Sequence, residues 1–184
     1  GLTREKVKFI WKRNINHNDL RPILIFAQHE ANPQAPIRKD IIDLLGQYRK
    51  NFYIQVVAAT PEFLYQPIKI NQLKRVSDAI LIRDNEGYDF GSWMTGIQFC
   101  RQLIEKRQQL LLCNDSLWGP IHPLDGLIKK LNQSQADVLG LTDDLMYAPH
   151  LQSPMLMFKR KAIACTEFWD FWDQIHNWEK KRSI

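Results

Sequence analysis

Two stretches of the chain bring acidic, amide and glycine residues to the end of an apolar run: RDNEGYDFGSW over residues 83–93 and LLLCNDSLWGP over residues 110–120. The runs themselves, AILI (79–82) and LLLC (110–113), have the pattern of buried parallel strands, which are covered on both faces and so show no polar side. In open α/β sheets ligands bind outside the carboxyl ends of the strands. Asp84, Asn85, Glu86, Asp89, Asn114 and Asp115 follow these runs directly, so they are the first candidates for chemistry, and both loops are expected to face one crevice.

Asp115 sits at the end of a buried strand, where a lone carboxylate needs a partner to offset its desolvation. A divalent cation, Mg²⁺ or Mn²⁺, is one such partner, since these ions take one or two carboxylates together with substrate phosphate oxygens. The competing reading is an Asx turn in which Asp115 and Ser116 hydrogen-bond the backbone of the following WGP. Gly87 and Gly91 flank Tyr88, Asp89 and Phe90; they indicate positive φ or a close backbone approach, with Asp89 free to accept from sugar hydroxyls or a base. Alternatively Asp89 is the N-cap of the next helix. Asp143 and Asp144 form a second acidic pair after a later strand and offer a general base or a second metal ligand, or else a solvated loop. His150, Gln152 and Ser153 are a polar cluster suited to phosphate or metal contact, although a lone His is also a common structural residue. Cys113 closes an apolar strand and reads as a small buried hydrophobe rather than a nucleophile.

Several chemistries are excluded. There is no GxGxxG and no Walker A loop, because Gly87, Gly91 and Gly96 have the wrong spacing and no Lys-Ser/Thr follows. GxSxG and HExxH are absent as well. Cys100, Cys113 and Cys165 lack the spacing of a disulfide framework or a zinc site, which fits a reducing cytoplasm. No apolar run reaches the roughly 18 residues of a spanning helix and no leader pattern is present, so a soluble cytoplasmic chain is expected. The net charge of +5 is scattered and does not form a nucleic-acid stripe. Its local concentrations near the N-terminus, at Lys159, Arg160 and Lys161, and at Lys180, Lys181 and Arg182 are solvated faces or, in the alternative, contacts to lipid headgroups in a peripheral membrane association.

The elements that must position these residues alternate along the chain. Strands are expected at 23–27, 52–60, 79–82, 110–113 and 137–142, with a sixth at 155–159 of open sense. Helices are expected at 40–50 (Ile41, Leu44, Leu45, Tyr48), about 91–108 (Trp93, Ile97, Cys100, Ile104), about 123–133 (Leu124, Leu127, Ile128, Leu131) and 161–178. The segment 62–78 holds at most one helical turn near 71–76, and residues 1–20 form a basic arm or short helix. Phe168, Phe171, Trp172 and Ile175 share a helix face, which points to core packing; any exposed member would be a candidate for an acceptor or membrane-interface surface. Such alternation means right-handed βαβ crossovers and a mostly parallel sheet with helices on both faces. At 184 residues one α/β domain, residues 21–184, accounts for the chain. The Gly start and EKKRSI end suit a fragment of a longer protein.

The succession NEGYDFGSW, LLLCNDSLWGPIHPL, DVLGLTDD, HLQSPMLMFKR and F-x-x-FW resembles the rhamnan synthesis protein F family, glycosyltransferase-like proteins of bacterial cell-surface polysaccharide assembly, over residues 23–172. The resemblance implies a GT-A-like, Rossmann-like nucleotide-sugar fold and transfer of a sugar, rhamnose or another deoxyhexose, from a nucleotide-diphospho-sugar to a glycan or lipid-linked glycan. It implies metal ligation by Asp115, completed by Asn114 as a weak ligand, by Asp143 or by His150, or else no metal at all, and donor contacts from Gln28, His29, Asn85, Gly87, Asp89, Asn114, Ser116, Gln152 and Ser153. It implies Asp144 or Asp143 as the base on the acceptor hydroxyl, with Asp89 next, and Lys159 or Arg160 against the leaving diphosphate. The usual acidic motif has two carboxylates, whereas here Asn114 stands beside Asp115; that departure favours a rival reading, a non-catalytic nucleotide-sugar or carbohydrate binding module. A third reading, a metal-dependent hydrolase, requires Asp115, Asp143 and Asp144 to converge on one metal.

Overall fold

The computed structural model describes residues 7–16, 18–29, 32, 34–59, 66–116, 125–144 and 150–181, with backbone alone at 141–144, 150–154 and 176–181. Seven strands form one mixed sheet: β1 (Val7–Lys12), β2 (Ile23–Gln28), β3 (Tyr53–Ala58), β4 (Ala79–Arg83), β5 (Gln109–Asn114), β6 (Val138–Asp144) and β7 (His150–Lys159). Their order is β1-β4-β3-β2-β5-β7-β6. The four central strands β4, β3, β2 and β5 are parallel. At the flanks β1 pairs antiparallel with β4, and β7 pairs antiparallel with both β5 and β6.

Every residue of β2 and β3 is buried, as a strand covered on both faces requires. Alternation along the strands splits the apolar side chains between two layers. Leu24, Phe26, Ile54, Val56, Leu111 and Cys113 pack with α1 (Lys39–Tyr48), α2 (Pro67–Val76) and α4 (Asp125–Gln133). Ile23, Ile25, Val57, Leu81, Leu110 and Leu112 pack with α3 (Tyr88–Ile104), α5 (Arg160–Ile163) and α6 (Thr166–Lys181). The expected apolar stripes are realised: Ile41, Leu44, Leu45 and Tyr48 of α1 are buried, as are Trp93, Ile97, Cys100 and Ile104 of α3. Leu131 of α4 is buried and Leu127 and Ile128 pack partly against the core, while Leu124 lies outside the described residues.

The chain steps from β2 to β3 to β4 with α1 and α2 on one face, then α3 carries it back across the opposite face to β5 on the other side of β2. Right-handed crossovers enforce this change of face when the direction of travel reverses. The boundary between β2 and β5 is therefore a topological switch point, the place where an α/β sheet opens a crevice at its carboxyl edge.

Four expectations about elements are corrected. The segment expected as an arm or helix contains β1, an edge strand whose pairing shifts register between Phe9 and Trp11. Residues 67–76 form three turns of helix, with Pro67 in the first turn, where its missing N–H costs nothing. Helix α3 begins at Tyr88 because Gly87 turns the backbone at φ 76°. The last helix is broken at Ala164 and Cys165; the Trp169 indole N–H donates to the Ile163 carbonyl at 2.9 Å, capping α5 so that α6 restarts and directs Phe168 and Trp172 onto the sheet. Phe171 does not share their burial and is 51% exposed. No helix among the described residues is long and apolar enough to cross a membrane.

The amino edge of the parallel strands is closed by a charge cluster. Asp78, 1% exposed, accepts from the Ile54 N–H at 3.0 Å and faces Arg21 at 3.4 Å and Arg13 at 3.5 Å. Arg21 also donates to the Arg49 and Phe52 carbonyls, each at 3.0 Å. Asp78→Ala leaves the Ile54 N–H without its acceptor and removes from Arg21 the buried one of its two carboxylates, Asp19 at 2.7 Å remaining; it is expected to cost about 3 kcal/mol, read as a fall in the thermal midpoint of roughly 6 to 12 °C for a domain of this size. A fall below about 2 °C would mean that this cluster contributes little.

Candidate functional site

Each piece of the site is placed by a strand end. Strand β2 delivers Gln28 and His29, β5 delivers Asn114 and Asp115, and α3 starts beside them with Asp89 in its first turn. The parallel ladder continues one step past β5, where the Asp115 N–H donates to the Ala27 carbonyl at 3.1 Å. The Asp115 carboxylate then accepts the His29 backbone N–H at 2.7 Å. Arg38, immediately before α1, donates to the Asp115 carbonyl at 3.0 Å while its guanidinium forks onto Asp40. The loops after β2 and β5 are thereby stitched together across the switch point.

Asn114 faces the opposite layer and is almost fully buried. Its amide nitrogen donates to the Asp89 carboxylate at 2.7 Å and its oxygen accepts the Ser116 N–H at 3.2 Å. Asn114 thereby makes an Asx turn of its own, while the WGP backbone that the turn weighed for Asp115 and Ser116 would use lies outside the described residues. Asp89, considered as an N-cap, lies inside the helix; the N-cap position is Gly87. Burial pushes the Asp115 carboxyl above its ordinary value; the His29 N–H opposes this, and the negative charge of Asp89 adds to it. Asp89 and Asp115 thus feel one another's charge, and carboxylate oxygens are the donors that hard cations take. Among the described residues no three His, Cys, Asp or Glu side chains converge as a metal cluster.

A buried arginine that sequence reading passed over builds the loop beneath Asp89. Arg83, at the end of β4, is 2% exposed and donates to the Glu86 and Tyr88 carbonyls and to the Ser92 hydroxyl. Gly91 lies directly against it: a Cβ there would sit 2.2 Å from the Glu86 carbonyl oxygen and 2.7 Å from an Arg83 nitrogen. Tyr88 is held at φ 50°, which a bulky residue adopts only under constraint, and its side chain is 83% exposed. The available signal was a charge ending an apolar run, since a buried guanidinium needs several acceptors. Trp93, also fully buried, ties α3 to β5 through its indole N–H on the Cys113 carbonyl at 2.8 Å.

The structure brings together Gln28, His29, Asp89, Asn114, Asp115 and Ser116, with Gly87 one turn away. Gln28 is 1% exposed; its nitrogen donates to the His29 carbonyl at 3.4 Å and its oxygen has no partner among the described residues. Asn85 is exposed in the link before Gly87. Strand β6 runs parallel to β5, so the backbone of Asp143 and Asp144 reaches the same sheet edge, and Asp144 pairs with His150, Asp143 with Leu151 and Thr142 with Gln152. The side chains of Asp143, Asp144, His150, Gln152 and Ser153 lie outside the described residues. Lys159 and Arg160 are corrected: Lys159 pairs with Gln109 at the amino edge of β5, and Arg160 donates to the Glu105 and Arg107 carbonyls. They stand at the opposite end of the sheet from Asp115, beside which Arg38 lies. Cys113 is fully buried, and burial drives its thiol far above the usual range, which removes it as a nucleophile.

Comparison with known proteins adds the following. A stretch of 118 residues, 62% of this chain, is 30% identical to an uncharacterized protein of Sinorhizobium fredii and covers 31% of it. A stretch of 95 residues, 50% of this chain, is 30% identical to the virulence protein VirA of Vibrio anguillarum and covers 30% of it. The chain thus matches about a third of the length of these curated relatives. Among solved structures, 4-diphosphocytidyl-2C-methyl-D-erythritol synthase superposes with a TM-score of 0.41 at 14% identity, over 85% of this chain and 86% of that one. The model of the family described as rhamnan synthesis protein F matches residues 65–184, a span that holds Arg83, Asp89, Asn114 and Asp115 together. The chain belongs to the rhamnan synthesis protein F family.

Proposed function

We propose that the crevice at the β2/β5 switch point binds a nucleotide-diphospho-sugar and that the chain takes part in transfer of its sugar, rhamnose or another deoxyhexose, to a growing cell-surface polysaccharide or lipid-linked glycan. The observation that carries this is the clasp of Asp115 by the His29 N–H, with Asp89 bonded to Asn114 alongside, at the carboxyl edge where doubly wound sheets hold nucleotides. Asp115 and Asp89, with His150 entering from β7, would hold Mg²⁺ or Mn²⁺. When bound, the ion neutralises charge on the leaving diphosphate. Arg38 lies beside Asp115, placed to pair with an anionic donor group. Gln28, His29, Asn85, Gly87, Ser116, Gln152 and Ser153 complete the donor contacts. Asp144 or Asp143 deprotonates the acceptor hydroxyl, with Asp89 as the third candidate. The reaction is placed at the cytoplasmic face of the membrane, with the chain attached peripherally.

One feature favours a second reading. Asn114 stands where the usual motif has a second carboxylate, and both ends of its amide are already engaged within the protein, which suits a nucleotide-sugar binding module without catalysis. Calorimetric titration of dTDP, UDP and GDP with and without Mn²⁺, repeated on Asp115→Ala, tests the donor site. Metal-dependent binding of one nucleotide that disappears in the variant is expected. Failure of all three nucleotides to bind would overturn the reading. Nucleotide binding without any release of sugar from its nucleotide-sugar, with candidate acceptors present, would leave only the binding module.

A further inference from the structure

Beside Asp89 an aromatic surface runs from α3 onto α6. Phe90 packs against Trp93 with ring centroids 5.2 Å apart and stacks on Trp172 at 6.1 Å, and Phe171 meets Trp172 edge-on at 5.2 Å. Trp172 is 1% exposed, whereas Phe90 and Phe171 over it are 41% and 51% exposed. Exposed rings from two helices converging on one buried indole are more than the scattered single apolar residues of an ordinary surface. Two further facts indicate what would cover them. Among the described residues the buried Trp172 indole N–H has no hydrogen-bond partner, an unmet donor beneath the patch. The helix stretches that present it, residues 88–97 and 166–175, carry Asp89, Glu167, Asp170 and Asp173 and no Lys or Arg; Arg101, further along α3, is engaged by Glu105, Asp173 and the Trp169 ring. Such a surface repels anionic headgroups and phosphate chains. A neutral polyhydroxylated ring suits it: the C–H face of a pyranose lies on exposed aromatic faces such as Phe90 and Phe171, and its rim hydroxyls meet carboxylates such as Asp89.

We infer that the Phe90–Trp172–Phe171 surface is the docking site for a neutral glycan chain, whose reactive end it directs toward Asp89. The inference rests on the glycosyl-transfer reading above and supplies its acceptor side. The indole N–H resonance of Trp172, assigned by its disappearance in Trp172→Phe, is followed by NMR in ¹⁵N-labelled protein while a rhamnose trisaccharide, maltotriose or phosphatidylglycerol vesicles are added; UDP, GDP and dTDP are titrated separately. A saturable shift with at least one trisaccharide is expected, weakened about tenfold by Phe171→Ala, with nucleotide affinity unchanged. Phe171 is exposed, so that variant keeps the core, and Phe90→Ala provides an independent second. If nucleotide binds while neither trisaccharide moves the resonance, the docking site is overturned and the donor reading stands. If the Phe variants weaken nucleotide and glycan alike, the patch belongs to the donor pocket and the inference is overturned. Vesicle binding that is lost in Phe171→Ala, without a glycan shift, would replace it with a lipid contact. Glycan binding without nucleotide binding would keep the docking site and sink the donor reading.

Discussion

Asp115→Asn is expected to weaken cation-dependent nucleotide binding by about 100-fold, roughly 2.7 kcal/mol, while raising the unfolding midpoint at pH 7. The two effects have one cause. In the folded chain the Asp115 carboxyl titrates above its ordinary value, first through burial and then through the charge of Asp89. In the unfolded chain it returns to the ordinary value of 3.8. Between these values the folded state holds more protons, so stability falls as pH rises through that window, and the loss is complete above the folded value. An amide of the same shape can still accept the His29 N–H and carries no charge, so it removes the loss at pH 7. Below 3.8 both states are protonated in the parent, and the advantage of the variant vanishes. Thermal melts of parent and variant at pH 3.5 and 7.5 check the stability half, and calorimetry with Mn²⁺ and the nucleotide checks the other. A variant less stable than the parent at both pH values would show that the carboxylate is a structural acceptor and that its ionised form is no burden.

Gly91→Ala is expected to be the most damaging single-methyl addition near the site. The new Cβ would lie 2.2 Å from the Glu86 carbonyl oxygen, a backbone atom, and 2.7 Å from the Arg83 guanidinium, which cannot retreat because it holds Glu86, Tyr88 and Ser92. Relief requires moving the first turn of α3 and with it Asp89. Overpacking of this kind costs about 3 kcal/mol, a midpoint fall of roughly 6 to 12 °C, with nucleotide affinity reduced because Asp89 no longer meets Asn114. Gly96→Ala serves as comparison: its Cβ would meet Ile25 and Val57 side chains, so it is expected to destabilise without altering ligand affinity in the material that remains folded. Equal affinity losses in the two variants would show that the Arg83 loop has no special hold on Asp89.

Local patterns were legible wherever burial was uniform. The runs at 23–27, 52–60, 79–82 and 110–113 could only be covered strands, and the 3.6-residue recurrence of Ile41, Leu44, Leu45 and Tyr48 or of Trp93, Ile97, Cys100 and Ile104 could only be a helix face. The edge strand β1 was not legible, because a strand with one open edge mixes Lys8, Phe9 and Lys12 on its outside and so loses its period. Phe171 follows the same logic in reverse. Its spacing from Phe168 predicts burial, but α3 covers only the side of α6 that holds Phe168 and Trp172, leaving Phe171 in solvent.

For the site, sequence alone determined that Asn114 and Asp115 stand at a strand end and that Asp89 follows another strand to the same sheet edge, because an apolar run fixes where a strand stops and parallel strands stop at the same edge. It did not determine partners. The His29 N–H that grips Asp115 is 86 residues away, the Arg83 guanidinium acts through carbonyls that any residue carries, and Asn114 spends its amide on Asp89 and the Ser116 N–H. Nor did it determine the sense of the last strand. An apolar run reads the same in either direction, so whether its first or last residues border the crevice is settled only by which neighbour it pairs with. Because β7 runs antiparallel to β5, the His150 end comes to the site edge and Lys159 goes to the far one, a choice made by tertiary pairing and written in no single residue.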